Sequence, residues 1–120
     1  ESQDQSLFIK WCNDNGFYTS HANYNPDKVY KGFVATFPNG GRRNAVEVNG
    51  LKREGMLTGV ADVIVVLPNA TLFFEFKTDV GKQSDKQKNF EAVCRQLNKP
   101  YYLVRQCFEA CNILKGWVNE

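Results

Sequence analysis

The side chains best suited to chemistry are two carboxylates and an ammonium, those of Asp62, Glu75 and Lys77. Two carboxylates brought close together repel each other unless they share a cation. Oxygen ligands of this kind favour a hard ion, Mg²⁺ or Mn²⁺, over zinc or copper. Such an ion polarises a phosphate and lowers the pKa of a bound water, and Lys77 would orient that water or stabilise developing charge. The three residues therefore favour metal-dependent hydrolysis of a phosphodiester.

Two strands must position these side chains. Alternation and enrichment in β-branched and aromatic residues predict strands over 62–67 and 71–77, with a break at 68–70. In a hairpin with residues 67–70 as its loop, Asp62 lies directly opposite Glu75. A two-residue loop gives the same register, although Pro68 suits a primed turn poorly because its φ is fixed negative. The acidic pair and Lys77 are thus expected to converge at one end of the hairpin, with opposed Cβ atoms about 4.5–5.5 Å apart.

A simpler interpretation of Glu75 and Lys77 stays open. A glutamate and a lysine two positions apart on a strand usually form a solvated ion pair worth less than about 1 kcal/mol. The additional aspartate at hairpin distance favours a site instead.

Five short motifs, in order along the chain, resemble those of a known nuclease family. Asp62 and Glu75-x-Lys77 are similar to the core of the PD-(D/E)XK superfamily, and the flanking motifs resemble its VRR-NUC branch. The motifs are FPNGGRRN at 37–44, LKREG at 51–55, GVAD at 59–62, EFK at 75–77, and GKQS at 81–84 followed by Gln87. The bare acidic pattern is unspecific, whereas the ordered set of motifs is specific. The resemblance as a whole extends from Glu1 to Trp117. Ala61 departs from it, standing where the family usually has proline.

The resemblance implies a metal site and its ligands. Asp62, Glu75 and the Phe76 carbonyl would hold Mg²⁺ or Mn²⁺, and Lys77 would act on the attacking water or remain a charged stabiliser. Glu1, near the start of the first helix, resembles an additional metal-site carboxylate in the family. An acidic residue at that place is also explained by the helix dipole alone.

Gln87 has two possible roles. Ser84 followed by Gln87 forms the sequence pattern of a capping box, which explains the glutamine fully as part of a helix start. The family resemblance implies that a glutamine here belongs to the site and orients water or substrate.

Basic residues lie on both sides of the hairpin. The net charge of +2 and the pI near 8.4 are too mild to indicate a nucleic-acid partner alone, so the distribution matters more. The resemblance implies that the FPNGGRRN loop borders the site and touches DNA. The predicted DNA-binding residues are Asn39, Arg42, Arg43, Lys52, Arg53 and Lys82. A solvated charged surface is the alternative interpretation.

Composition predicts one domain, spanning 1–120, and excludes a membrane protein. The chain has 120 residues, 42% of them hydrophobic, which is enough for one core. No apolar run approaches the roughly 18 residues of a membrane span, and no signal peptide is recognisable. We therefore expect a cytoplasmic protein of a bacterial or phage-infected cell, not a secreted one. Its cysteines are expected to be buried free thiols, because they form no CxxC pair and His21 stands alone. They are Cys12, Cys94, Cys107 and Cys111.

The order of predicted elements indicates the fold. Helical periodicity is expected over 2–15, 44–53, 85–98 and 108–117, short extended segments over 17–19 and 32–36, and a further strand over 100–105. In the first helix Leu7 and Phe8 share the apolar stripe with Trp11 and Cys12, and in the third Leu97 joins the buried Phe90 and Cys94. This order predicts an α/β, restriction-endonuclease-like three-layer sandwich with a mixed central sheet flanked by helices, as the resemblance also implies. Residues 24–30 look like an extra loop without an assigned role.

The sequence leads to a metal-dependent, structure-selective DNA endonuclease as the first functional hypothesis. A short chain resembling viral family members is expected to act as a homodimeric Holliday-junction resolvase, since symmetrical nicking needs two sites related by a two-fold axis. A flap or nicking endonuclease of the same superfamily, and a non-catalytic DNA-binding module, are the alternatives. A structural protein is a further class, which should lack salt-dependent DNA affinity.

Overall fold

The computed structural model describes residues 2–37 and 45–118, which are organised around a four-stranded mixed sheet. The helices are α1 (Ser2–Asp14), α2 (Ala45–Arg53), α3 (Asp85–Gln96) and α4 (Cys107–Val118), and the strands are β1 (Phe33–Thr36), β2 (Val63–Leu67), β3 (Ala70–Phe76) and β4 (Tyr101–Val104). The strands lie in the order β1-β2-β3-β4. The first two pairings are antiparallel and the third is parallel.

The β2–β3 hairpin has the register that the sequence predicts. Val66 pairs with Thr71 and Leu67 with Ala70, so the connection is only Pro68-Asn69. Neither connecting residue has a positive φ, in keeping with the poor fit of proline to a primed turn. At the other end of the hairpin Val63 pairs with Phe74. Continuing this register by one residue brings Asp62 opposite Glu75.

Helices cover both faces of the sheet. On one face α1 and α4 pack on the strands through Phe8, Cys12 and Leu114. On the other face Cys94 of α3 packs against Tyr101 and Ala61. Strand β2 is continuously apolar, with one face buried and the alternate residues Ile64 and Val66 half-buried. This is the predicted three-layer α/β sandwich.

The crossover through α3 determines where the strand ends lie. Because β3 and β4 are parallel, their carboxyl ends meet at the same edge of the sheet. Lys77 follows β3 and Arg105 follows β4 at that edge, and Lys77 N donates to Val104 O at 3.0 Å. The antiparallel β2 begins at this edge, which brings Asp62 to it.

Two predicted core leucines lie at the surface. Leu7 is 49% exposed because α1 turns Phe8, Ile9 and Cys12 toward the sheet. Leu97 is 62% exposed because α3 ends at Gln96 and the chain then reverses through Asn98 in the left-handed region, so helical spacing no longer sets its direction.

The predicted strand over 17–19 is reduced to a single bridge. Tyr18 pairs with Phe33 beside β1, and Tyr18 N donates to Gly32 O at 2.9 Å. Gly32 also passes close to β2, because a Cβ there would lie 2.2 Å from Val66 O.

Burial of the cysteines agrees with the prediction for three of the four. Cys12, Cys94 and Cys111 are buried, whereas Cys107 is half-buried at the start of α4. Burial raises the pKa of Cys111 to about 12, so its thiol stays protonated near neutral pH. Of the helices within 2–37 and 45–118, none is long and apolar enough to cross a membrane.

Candidate active site

Asp62 and Glu75 meet at the open end of the β2–β3 hairpin. The Asp62 carboxylate reaches across to β3, where its Oδ2 accepts a hydrogen bond from Phe76 N at 2.8 Å. Glu75 is fully buried although most glutamates are exposed. The predicted convergence of the two acidic residues is therefore built into the strand pairing.

Two side chains bind the buried Glu75. Lys77 Nζ lies 3.5 Å from Glu75 Oε2, and the lysine side chain is only 13% exposed. Gln87 Nε2 donates to the same oxygen at 2.8 Å. Burying an ionised carboxylate is costly unless it is paired and hydrogen-bonded, and these contacts provide both. Glu75 and Lys77 thus form a shielded pair rather than the solvated pair of the simpler interpretation.

Gln87 forms the predicted cap and also contacts Glu75, while its role toward water or substrate stays a prediction. Its Oε1 accepts from Ser84 N at 2.8 Å, and Ser84 Oγ accepts from Gln87 N at 3.2 Å, which completes the capping box of α3. The same side-chain amide directs its N–H to Glu75. The cap therefore holds the glutamine in the rotamer that reaches the carboxylate.

Gly59 lets the chain pass close to the start of α3. Its φ is +82°, and a Cβ there would lie 2.4 Å from Lys86 O and 2.9 Å from Gln87 N. Only glycine tolerates both this conformation and this approach. The segment before Asp62 is thereby packed against the helix that carries Gln87.

Tyr101 and Gln83 form a polar contact beside the site that the sequence did not indicate. Gln83 Nε2 donates to the Tyr101 hydroxyl at 3.1 Å and to Glu91 Oε1 at 3.0 Å. Burial, followed by the negative charge of Glu75, raises the pKa of Tyr101 well above its ordinary value. The hydroxyl is therefore neutral under ordinary conditions, and it links β4 to the loop before α3.

Arg105 was also missed by the sequence interpretation. Its guanidinium donates to the carbonyls of Thr78 and, at 2.6 Å, Gly81, in the loop that follows Lys77. A signal was present, because a strand–helix–strand order predicts parallel pairing and places the residues after β3 and β4 side by side. Arg105 therefore anchors the loop between Lys77 and Gln87.

The donor set at this edge suits a hard divalent ion. Asp62 and Glu75 provide carboxylate oxygens, and the Phe76 carbonyl belongs to the same segment. The residues that the structure describes contain no cluster of three or more His, Cys, Asp or Glu arranged for a metal. Two carboxylates are nevertheless a usual protein contribution for Mg²⁺, which keeps several waters and binds substrate phosphates. The residues present therefore fit such an ion.

The other predicted site residues are exposed or lie outside the described part. Lys52 and Arg53 are exposed in the last turn of α2, and Lys82 is exposed in the loop between β3 and α3. Four predicted residues lie outside the described residues: Glu1, Asn39, Arg42 and Arg43. Asn44, the first residue of the helix predicted over 44–53, also lies outside the described residues.

Comparisons with known proteins find a relative by fold and none by sequence. No protein-family model matches the chain, and no curated protein matches it. Among solved structures, one described as a VRR_NUC domain protein superposes with a TM-score of 0.72 at 13% sequence identity. The alignment covers 99% of this chain and 88% of that one. The predicted restriction-endonuclease-like fold is thereby confirmed, and the structural likeness to that protein extends over almost the whole chain.

Proposed function

We propose that this protein is a metal-dependent DNA endonuclease of the VRR-NUC type that hydrolyses phosphodiester bonds in branched DNA. The observation that carries the proposal is the arrangement of Asp62, buried Glu75 and Lys77 at one end of the hairpin, with Gln87 donating to Glu75 at 2.8 Å. The shared fold with a VRR_NUC domain protein supports it.

Mg²⁺ or Mn²⁺ would be held by Asp62, Glu75 and the Phe76 carbonyl, with Glu1 as a further candidate ligand. When bound, the ion would supply Lewis-acid stabilisation of the phosphate and a more acidic water. The chain's own residues support this donor set. Phe76 N orients Asp62, and Gln87 orients Glu75. Such supporting contacts are what give a metal site its geometry.

In this proposal Lys77 supplies a positively charged side chain beside the scissile phosphate. Its Nζ is held 3.5 Å from Glu75 Oε2 and is largely shielded from solvent. A charge fixed in a shielded position stabilises developing negative charge better than one in water. Lys77 would therefore orient the attacking water or stabilise the charge that grows on the phosphate oxygens.

Junction resolution by a homodimer is the specific activity we propose. Paired nicks on opposite strands require two equivalent sites, which a two-fold dimer of a small chain supplies. Lys52, Arg53 and Lys82 are exposed and would contact the backbone together with Asn39, Arg42 and Arg43.

Cleavage of labelled four-way junction, flap and linear duplex tests the proposal. Wild type is compared with Glu75→Gln and with Asp14→Asn, an exposed acidic residue at the end of α1. Each is assayed with Mg²⁺, with Mn²⁺ and with EDTA. We expect symmetrical junction nicks that are lost with EDTA and in Glu75→Gln, while Asp14→Asn cuts like wild type.

The remaining outcomes separate the alternatives. Preferential cutting of the flap or the linear duplex would keep the chemistry and replace the junction substrate. DNA binding without cutting in either metal would indicate a non-catalytic module. Cutting that persists undiminished in Glu75→Gln would contradict the proposed site.

A further inference from the structure

The segment between α1 and β1 builds a group of aromatic rings at the surface. Tyr18 and Tyr30 meet edge to face at 5.3 Å between ring centroids, and Tyr24 stacks on Tyr30 at 6.3 Å. Tyr24 is 69% exposed and Tyr18 is 40% exposed. We call these three residues the tyrosine cluster.

Local hydrogen bonds hold the cluster in place. Asn25 N donates to the Tyr30 hydroxyl at 3.0 Å, and Asp27 N donates to Asn25 Oδ1 at 3.0 Å. Lys28 Nζ lies 5.0 Å from the centre of the Tyr30 ring. None of the three tyrosines belongs to either hydrophobic core cluster among the described residues. A role in the hydrophobic core therefore does not explain these rings.

A surface cavity of about 680 Å³ adjoins the cluster. It lies between α1 and the outer edge of β1, and Tyr18 and Phe33 form part of its wall. Polar groups from Gln5, Ser6 and Thr36 line it, and no aspartate or glutamate does among the residues that the structure describes. A wall that holds hydroxyl groups and His21, with no carboxylate among its described residues, is compatible with a polyanion.

The cavity follows strand β1 along its whole length, from Phe33 to Thr36. Thr36 pairs with Val63, the first residue of β2. Phe37 N, one residue further, donates to the backbone oxygen of Asp62 at 3.2 Å. Strand β1 spans roughly 10 Å between Phe33 and Thr36, at about 3.4 Å per residue. Strand β1 therefore connects the backbone at Tyr18 with the backbone at Asp62.

We propose that the tyrosine cluster is a stacking platform for unpaired nucleotides of the DNA substrate, a role that rests on the function proposed above. Exposed aromatic rings beside lysines are the usual means of binding single-stranded nucleic acid, because every base has a face that can stack. Lys28 provides a cation next to the Tyr30 ring, and Lys31 follows Tyr30 in the chain. A strand leaving a branch point would run along the β1 edge with its unpaired bases on Tyr24 and Tyr18.

Fluorescence anisotropy with two labelled DNAs tests the platform. One is a blunt duplex and the other is the same duplex with a short oligothymidine arm. Wild type is compared with Tyr24→Ala, with Tyr24→Phe, which keeps the ring, and with Phe108→Ala, which removes a 60% exposed ring from α4. Tyr24→Ala should weaken binding of the armed DNA on the order of tenfold and leave the blunt duplex unaffected. Tyr24→Phe and Phe108→Ala should bind both DNAs like wild type.

The controls distinguish failure of this inference from failure of the proposed function. Wild type that binds and cuts DNA while Tyr24→Ala holds the armed DNA equally well would overturn the platform alone. Equal losses of affinity for the armed and the blunt DNA would overturn it too. So would a molecular mass that rises with protein concentration in wild type but not in Tyr24→Ala, because the cluster would then be a contact between copies of the chain. Wild type that binds neither DNA would overturn both proposals.

Discussion

Gln87 Nε2 donates to Glu75 Oε2 at 2.8 Å, while Gln87 Oε1 accepts from Ser84 N at the same distance. One side-chain amide therefore joins the first turn of α3 to a buried carboxylate on β3. A helix cap and a site contact are usually separate features, and here they use the two ends of one amide group. Substitutions at Gln87 and Ser84 can separate the two roles.

Gln87→Glu should lower cleavage by roughly 10- to 100-fold, the usual cost of losing a supporting contact in a metal site. A glutamate retains the acceptor for Ser84 N, but it removes the donor and places a second negative charge against Glu75. Ser84→Ala is the matched variant, because it removes only the hydroxyl half of the cap. It should lower the free energy of unfolding by about 1 kcal/mol and leave cleavage per folded molecule unchanged. Urea unfolding measures the free energy of unfolding, and single-turnover cleavage measures the rate. Equal cleavage rates in Gln87→Glu and wild type would assign Gln87 to the cap alone.

Gly59→Ala should destabilise the protein by roughly 2–5 kcal/mol, combining a left-handed backbone with overpacking. The new Cβ would lie 2.4 Å from Lys86 O, so the start of α3 must move and carry Gln87 away from Glu75. Gly116→Ala is the control, since a Cβ there meets nothing within 4 Å in helix α4. It should stabilise by about 0.5–1 kcal/mol. Thermal unfolding measures the stability of both variants. Similar melting temperatures for Gly59→Ala and Gly116→Ala would show that the fold tolerates a Cβ at residue 59.

Arg105→Ala should loosen the loop between Lys77 and Gln87. It removes charged hydrogen bonds to the carbonyls of Thr78 and Gly81, worth about 1–3 kcal/mol. The exposed Lys82 in that loop should then become a faster site of limited trypsin digestion. Lys10→Ala, which breaks an exposed pair with Asp14 on α1, should change stability by under about 1 kcal/mol and leave digestion at Lys82 unaltered. Unchanged digestion in Arg105→Ala would contradict the anchoring role.

Stability should fall at alkaline pH in part through Tyr101. Burial, followed by the charge of Glu75, raises the pKa of Tyr101 in the folded state. The unfolded chain therefore releases this proton first, near its ordinary pKa of about 10, and binds fewer protons than the folded state above that pH. The stability that Tyr101 contributes to the folded state is fully present below about pH 9 and is lost as the pH rises beyond 10. Measured by urea unfolding from pH 8 to about 11, the free energy of unfolding should decline less steeply in Tyr101→Phe than in wild type. Identical slopes would show that Tyr101 does not contribute to the alkaline loss of stability.

The site as a whole was only partly accessible to prediction from sequence. Asp62, Glu75 and Lys77 could be brought together in advance, because a hairpin with a short connection has few registers and side chains alternate with period two. Arg105, Gln83 and Tyr101 were not recognised. Their contacts depend on the parallel β3–β4 pairing and on how α3 lies across it, which follow from packing of segments distant in the chain.

The sequence by itself determined the local order of this protein: the α/β succession of elements, the hairpin register and the capping box at Ser84. These follow from periodicity, turn residues and short-range hydrogen bonds, all of which act between neighbours. Only the tertiary structure decided that Leu7 and Leu97 face solvent, that Glu75 is fully buried, and that Gln87 serves the cap and the carboxylate together. Burial and long-range contacts are properties of packed layers, and helical spacing alone does not specify which side of a helix the sheet will cover.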